Sequence, residues 1–161
     1  MVRGDQVQKM VFDLQSVLPQ LLAPAVAWAE LQSRKVQQEG EALSVASRLL
    51  AERVGVNQPH LVRVKIVGQL PLPTEPLLRQ AALQTGLLGP GMVGLTLGHS
   101  ILVVRGYVEP RLLSHELRHV YQYEVHGSIA GFLPVYLEQI ATVGYHNAPF
   151  EDDARAHEVD A

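Results

Sequence analysis

His115-Glu116-Leu117-Arg118-His119 is the stretch of this chain whose residue types and spacing best suit chemistry. On an α-helix, residues i and i+4 share a face one turn apart. Two imidazoles can therefore converge on one metal ion, with the intervening glutamate beside them. The chemistry this predicts is that of a zinc hydrolase: His115 and His119 hold the ion, and Glu116 takes a proton from a water that the metal polarises. The same glutamate can then return the proton to the leaving group.

Catalysis at such an ion needs a third protein ligand and an open fourth position. His126 lies on nearly the same helical face as His119, but roughly 10 Å further along the axis, beyond the reach of one ion. The extended pattern H-E-x-x-H-x-x-G-x-x-H fails, because Gln122 replaces its glycine and Val125 its third histidine. The carboxylate alternatives are Glu138 in the next predicted helix and Glu151, Asp152 or Asp153 in the one after it. Tyr145 and His146 precede that last helix and are candidate donors to an oxyanion, although a packed tyrosine and a surface histidine are the plainer reading. His60 and His99 read as ordinary surface histidines. Tyr107, Tyr121, Tyr123 and Tyr136 read as core or rim.

The elements that must position these residues are legible from periodicity. Pro110 suits a first helical turn, Leu112, Leu113, Leu117, Val120 and Val125 form an apolar side, and Gly127 offers a stop. Upstream, Val7, Met10, Val11, Leu14, Val17, Leu18, Leu21 and Leu22 follow helical spacing and predict a buried helix pair, broken or kinked near Pro19 or Pro24. A second helical stretch spans residues 41–54 and ends at Gly55. In residues 61–67, Val62, Val64 and Ile66 alternate with Arg63 and Lys65, the pattern of a half-buried strand. Thr74 is the expected cap of a short helix running to about Gln84, and residues 93–97 and 101–104 predict a hairpin around Gly98-His99-Ser100. Ser128 should cap a helix with Phe132, Leu133, Tyr136, Leu137 and Ile140 on its buried stripe, ended by Gly144. Asn147 should cap the last helix, with Pro149 in its first turn. The expected class is α+β, mainly helical, with a small sheet beside the motif helix. One domain over residues 1–161 divides into a helical part (1–55), a small sheet with a helix (60–105) and three helices (109–159).

Composition narrows the function. The chain has 161 residues, 47% hydrophobic and 18% charged, a soluble globular profile. With no cysteine it has neither disulfides nor thiolate ligands, which allows a cytoplasmic setting and leaves histidine and carboxylate as metal donors. A net charge of −3 with few clustered cations gives no footprint for nucleic acid. The apolar stretch 14–29 is interrupted by Gln15, Ser16, Pro19, Gln20 and Pro24, so a membrane span is not expected.

Taken with Asn147-Ala148-Pro149-Phe150-Glu151-Asp152-Asp153-Ala154-Arg155, the motif resembles the small gluzincin-type metallopeptidases. In that group an H-E-x-x-H helix is followed by a glutamate helix of the form N-P-x-E-x-E/D-A-D. The resemblance covers roughly residues 60–158. It implies a zincin-like fold, Zn²⁺ held by His115, His119 and Glu151, Glu116 as general base, and a peptide or protein substrate. The hairpin at 93–104 would offer the edge strand for an extended peptide. Asp153 matches the second acid and should face away. Arg155 stands where the family often has an aspartate that orients a zinc-bound imidazole, which leaves that role unassigned. Two other classes compete: a zinc-holding regulatory or interaction domain with its fourth position closed, by the tail Glu158-Val159-Asp160-Ala161 or by a partner, and a helical adaptor without metal. Oligomeric state is not encoded in any of these features.

Overall fold

A four-stranded mixed sheet with helices on both faces organises residues 13–160, the part of the chain that this computed structural model describes. Helix α1 (Leu14–Glu39) is followed by β1 (Glu41–Ala42), α2 (Val45–Arg53), a 3₁₀ turn (Pro59–Leu61), β2 (Arg63–Val67) and α3 (Pro76–Gln84). Then come the hairpin β3 (Gly94–Leu97) and β4 (Ser100–Val104), and three helices: α4 (Pro110–His126), α5 (Ile129–Val143) and α6 (Pro149–Ala156). The strand order is β1-β2-β4-β3. The β1–β2 and β3–β4 pairs are antiparallel, whereas β2 and β4 run parallel with Val64 opposite Ile101. The class is α+β with a small sheet, as the periodicity predicts.

Strand β4 is buried on both faces, and its alternation divides the core. Ile101 and Val103 face a cluster with Ala51, Val54, Leu113, Leu117 and Val120 from α2 and α4. Leu102 faces the opposite cluster, built from Leu21, Ala25, Ala29 and Val36 of α1 with Phe132, Leu133, Tyr136 and Ile140 of α5. Period-two alternation in one strand thus locks the motif helix against one side of the sheet and α1 with α5 against the other.

Several expectations need correction. The helix pair is a single helix, because Leu14–Glu39 continues through Pro19 and Pro24. Each proline removes one backbone donor, and the burial of Leu21, Ala25, Ala29 and Val36 holds the helix together across both. Val7, Met10 and Val11 lie outside the described residues. The helix expected over 41–54 starts only at Val45, because Ser44 accepts from Ser47 N and Glu41–Ala42 pairs with β2 instead. Within it Ala51 is fully buried and Leu49 is exposed. Ile66 of β2 is 50% exposed and Val125 of α4 is 62% exposed, so neither belongs to the buried face assigned to it. The carboxylate of Glu75, rather than Thr74, caps α3 by accepting from Leu77 N and Leu78 N.

At α6 the N-cap is Ala148, not Asn147. Its backbone carbonyl accepts from Glu151 N and Asp152 N, and Gln139 Oε1 of α5 accepts the N–H of Phe150. This helix start is therefore satisfied by a neighbouring helix, which local sequence does not show. Gly127, with φ +83°, and Ser128, which accepts from Gly131 N, separate α4 from α5 as expected. Among the described residues no helix is long and apolar enough to cross a membrane.

Candidate metal centre

Helix α4 presents His115 and His119 one turn apart, and α6 brings Glu151 between them. Glu151 Oε1 lies 3.1 Å from His115 Nε2 and Oε2 lies 2.9 Å from His119 Nε2. One ligand atom from each of the three falls within 4.8 Å of the others. Glu151 is 1% exposed, and burying a carboxylate that deeply requires compensation. The two imidazoles supply part of it, and the Tyr136 hydroxyl donates to Glu151 Oε2 over 2.5 Å. Burial works against the ionised form of Glu151, but His115, His119 and Tyr136 outweigh it and hold the carboxyl below its usual range. Burial likewise works against charge on His115, and Glu151, Glu116 and Glu158 push it up to about 9 among the protein groups alone. His119 is raised for the same reason. Two imidazoles and one carboxylate with a shared focus suit a divalent cation, which would take the place of the protons that now bridge them.

The outer contacts set how each ring presents itself. Gln122 Nε2 donates to Phe150 O and Asp153 Oδ2, both of which can only accept. Its amide oxygen must then face His119 Nδ1, 2.8 Å away, so that nitrogen carries the proton and Nε2 is the atom turned toward Glu151 and able to ligate an ion. Behind Asp153 stands Arg118, which donates to both its oxygens and also to Val54 O, while its guanidinium stacks on Tyr121. Asp153 therefore faces away from the ligand focus, as expected, but it holds the residue that holds His119. Glu158 Oε2 is 2.9 Å from His115 Nδ1.

Glu116 sits at the cleft wall between these ligands and the sheet. Gly94 and Thr96, two apart on β3, both face it. A Cβ at position 94 would stand 3.0 Å from Glu116 Cδ, so only glycine lets the strand approach this closely. Thr96 Oγ1 lies 3.0 Å from Glu116 Oε1 and 3.1 Å from the Glu116 carbonyl. Glu116 Oε2 is 4.0 Å from His115 Nε2. Burial raises the Glu116 carboxyl above its ordinary value, against the pull of His119 and His115. An open cleft of about 290 Å³ borders His115, Glu116, Glu151 and Tyr145, with Met92–Gly94 of the edge-strand side on its wall. Burial, with Glu151 and Glu116 beside it, keeps the Tyr145 hydroxyl above its usual range and therefore protonated.

The remaining sequence candidates separate cleanly. Glu138 and Asp152 are exposed, and Asp152 pairs with Arg155. Arg155 also donates to the His146 carbonyl, and neither Arg155 nor His146 reaches the ligands. His126 Nδ1 donates to Gln122 O of its own helix, and its ring packs edge-on against Phe132 and Phe150. His99 pairs with Glu124, His60 is exposed, Tyr107 is exposed, and Tyr123 packs on Phe132. Four residues at the site were not foreseen in a functional role, Gly94, Thr96, Gln122 and Tyr136, and Glu158 was foreseen only as part of a tail closing the fourth position. Gln122 carries a readable signal, three residues after a ligand histidine on one helix face, and Tyr136 lies on a stripe already marked as buried. Glu158 carries none, since it follows the last helix. Comparison with protein-family models, curated proteins and solved structures yields no match for this chain.

Proposed function

We propose that this chain is a zinc-dependent peptidase of gluzincin type, with His115, His119 and Glu151 as ligands and Glu116 as general base. The observation that carries the reading is the placement of Glu116. It is a buried carboxylate outside the ligand set, its Oε2 is turned toward the ligands, and it borders an open cleft. A site that only stores a cation has no need of such a group. Zinc, when bound, lowers the pKa of a coordinated water towards about 7 and acts as a Lewis acid on the carbonyl. The protein does the rest. Glu116, fixed by Thr96 and pressed against Gly94, accepts a proton at the cleft wall and delivers it to the leaving amine. Tyr145, a protonated hydroxyl on the same cleft, is placed to donate to an oxyanion. Among the described residues β3 is the last strand of its sheet, and the Met92–Gly94 segment that enters it lines the cleft, where an extended peptide would lie along that edge. A cytoplasmic setting, allowed by the absence of cysteine, belongs to the same reading.

The competing zinc domain with a closed fourth position finds no support in the tail. Glu158 is engaged on the Nδ1 side of His115, and the Asp160 side chain is 90% exposed. The test is elemental analysis of protein purified without added metal, followed by digestion of a peptide library by wild type and Glu116→Gln. We expect about one zinc per chain in both and a loss of about 10²–10⁴-fold in turnover for the variant. Zinc-loaded wild type that cleaves nothing would favour the non-catalytic domain, and undiminished cleavage by the variant would remove Glu116 from the mechanism.

A further inference from the structure

A histidine that binds metal through Nε2 must keep its proton on Nδ1 and must not swing about its ring bond. A hydrogen-bond acceptor on the far nitrogen secures both. His119 has Gln122 for this purpose. His115 has no acceptor on its own helix, and Arg155 of α6 is turned away toward Asp152 and His146. The acceptor comes instead from the segment after α6, where the chain runs back along the first turns of α4. Val159 N donates to Ser114 Oγ over 2.8 Å, and Arg111 Nε donates to Glu158 Oε1 over 2.8 Å. Ser114 itself is fully buried and donates to Arg111 O, so this docking point is rigid. With one carboxylate oxygen held by Arg111, the other is left for His115 Nδ1 at 2.9 Å. Contacts at Arg111, Ser114 and His115 thus place one carboxylate against the outer edge of one ligand ring.

We infer that Glu158, carried on a strap that follows α6 and anchored by Arg111 and Ser114, is the positioning residue for the proposed metal ligand His115. It is not itself a ligand, because it meets the ring edge opposite Nε2. The inference rests on the reading that His115, His119 and Glu151 hold the ion, and it assigns the tail segment to the metal centre.

The test uses the full chain and measures metal affinity and spectrum rather than turnover. Apo protein is titrated with zinc against a chromophoric chelator and, separately, with cobalt, whose visible bands report ligand geometry. Glu158→Ala should weaken zinc about 10–100-fold and shift the cobalt bands. Glu158→Gln keeps an acceptor oxygen for Nδ1 and should recover most of both. Asp160→Ala removes the same charge from the same strap and should change neither, which separates ring positioning from net charge. Glu158 lies outside both apolar clusters, so loss of the fold does not obscure the result. Wild-type affinity and spectrum in Glu158→Ala would overturn the inference, as would failure of Glu158→Gln to recover them or an equal loss in Asp160→Ala. Wild type that binds no zinc would instead overturn the metal reading beneath it.

Discussion

Raising the pH of the protein stripped of metal from 6.5 to 9 should cost it about 3 kcal/mol of folding stability. His115 is the origin of this limb. Its pKa rises from 6.5 to about 9, because Glu151, Glu116 and Glu158 outweigh the opposing effect of burial. A group held above its unfolded value stabilises the fold fully below that value and loses the contribution as pH climbs to the folded one. At about 1.36 kcal/mol per pH unit this amounts to at most about 3 kcal/mol, with His119 acting in the same sense. Glu151 has the opposite sign. It is held below its ordinary 4.5, so its contribution is present above 4.5 and is lost as pH falls further. The metal-free protein should therefore be most stable between about 4.5 and 6.5. For a chain of this size, 1 kcal/mol moves Tm by about 2–4 °C, so melting should fall by roughly 6–12 °C between pH 6.5 and 9. Circular-dichroism melts of chelator-treated protein measure this directly. Saturating zinc should flatten the alkaline limb, because the ion displaces the protons that the limb depends on. A flat Tm across that interval, or an unchanged slope in His115→Gln, would refute the reasoning.

Two further substitutions probe the site from different sides. Gly94→Ala inserts a Cβ 3.0 Å from Glu116 Cδ and 3.2 Å from Oε2, so the glutamate must shift by a few tenths of an ångström. Turnover should drop about 10–100-fold while zinc affinity stays within about threefold, since a base displaced by this much loses its alignment. Full activity in that variant would show that the close approach has no catalytic role. Glu151→Ala should abolish tight zinc binding and Glu138→Ala should leave it intact, measured by chelator competition, because the first removes a proposed ligand and the second an exposed charge.

What the sequence revealed depended on the range of the interaction. His115, Glu116 and His119 lie within five residues on one helix, and their geometry follows from helical pitch alone. The hairpin, the break at Gly127 and the Ser128 cap are likewise local, and they stand where the pattern put them. For Glu151, spacing alone left several carboxylates open. The choice rested on resemblance, and the structure now gives it a geometric basis in the shared focus with the two imidazoles. The misses have different causes. Asn147 lost the cap of α6 to Ala148, with Gln139 of α5 taking the Phe150 N–H, Thr74 lost that of α3 to its neighbour Glu75, and the prolines of α1 were overridden by burial. Glu158 reaches His115 through a chain reversal that no periodicity encodes.

The three proposed ligands also imply an order of assembly. His115 and His119 arise together in α4, but Glu151 reaches them only after α5 has turned the chain and α6 has docked. During synthesis α4 can form as soon as it emerges, and its imidazole pair alone offers only two donors to a divalent ion. On the proposed metal reading, tight capture would follow the docking of α6, and the binding free energy would hold α6 in place against local opening. Chelation should accordingly speed hydrogen exchange in α6 and the strap behind it before the sheet is affected.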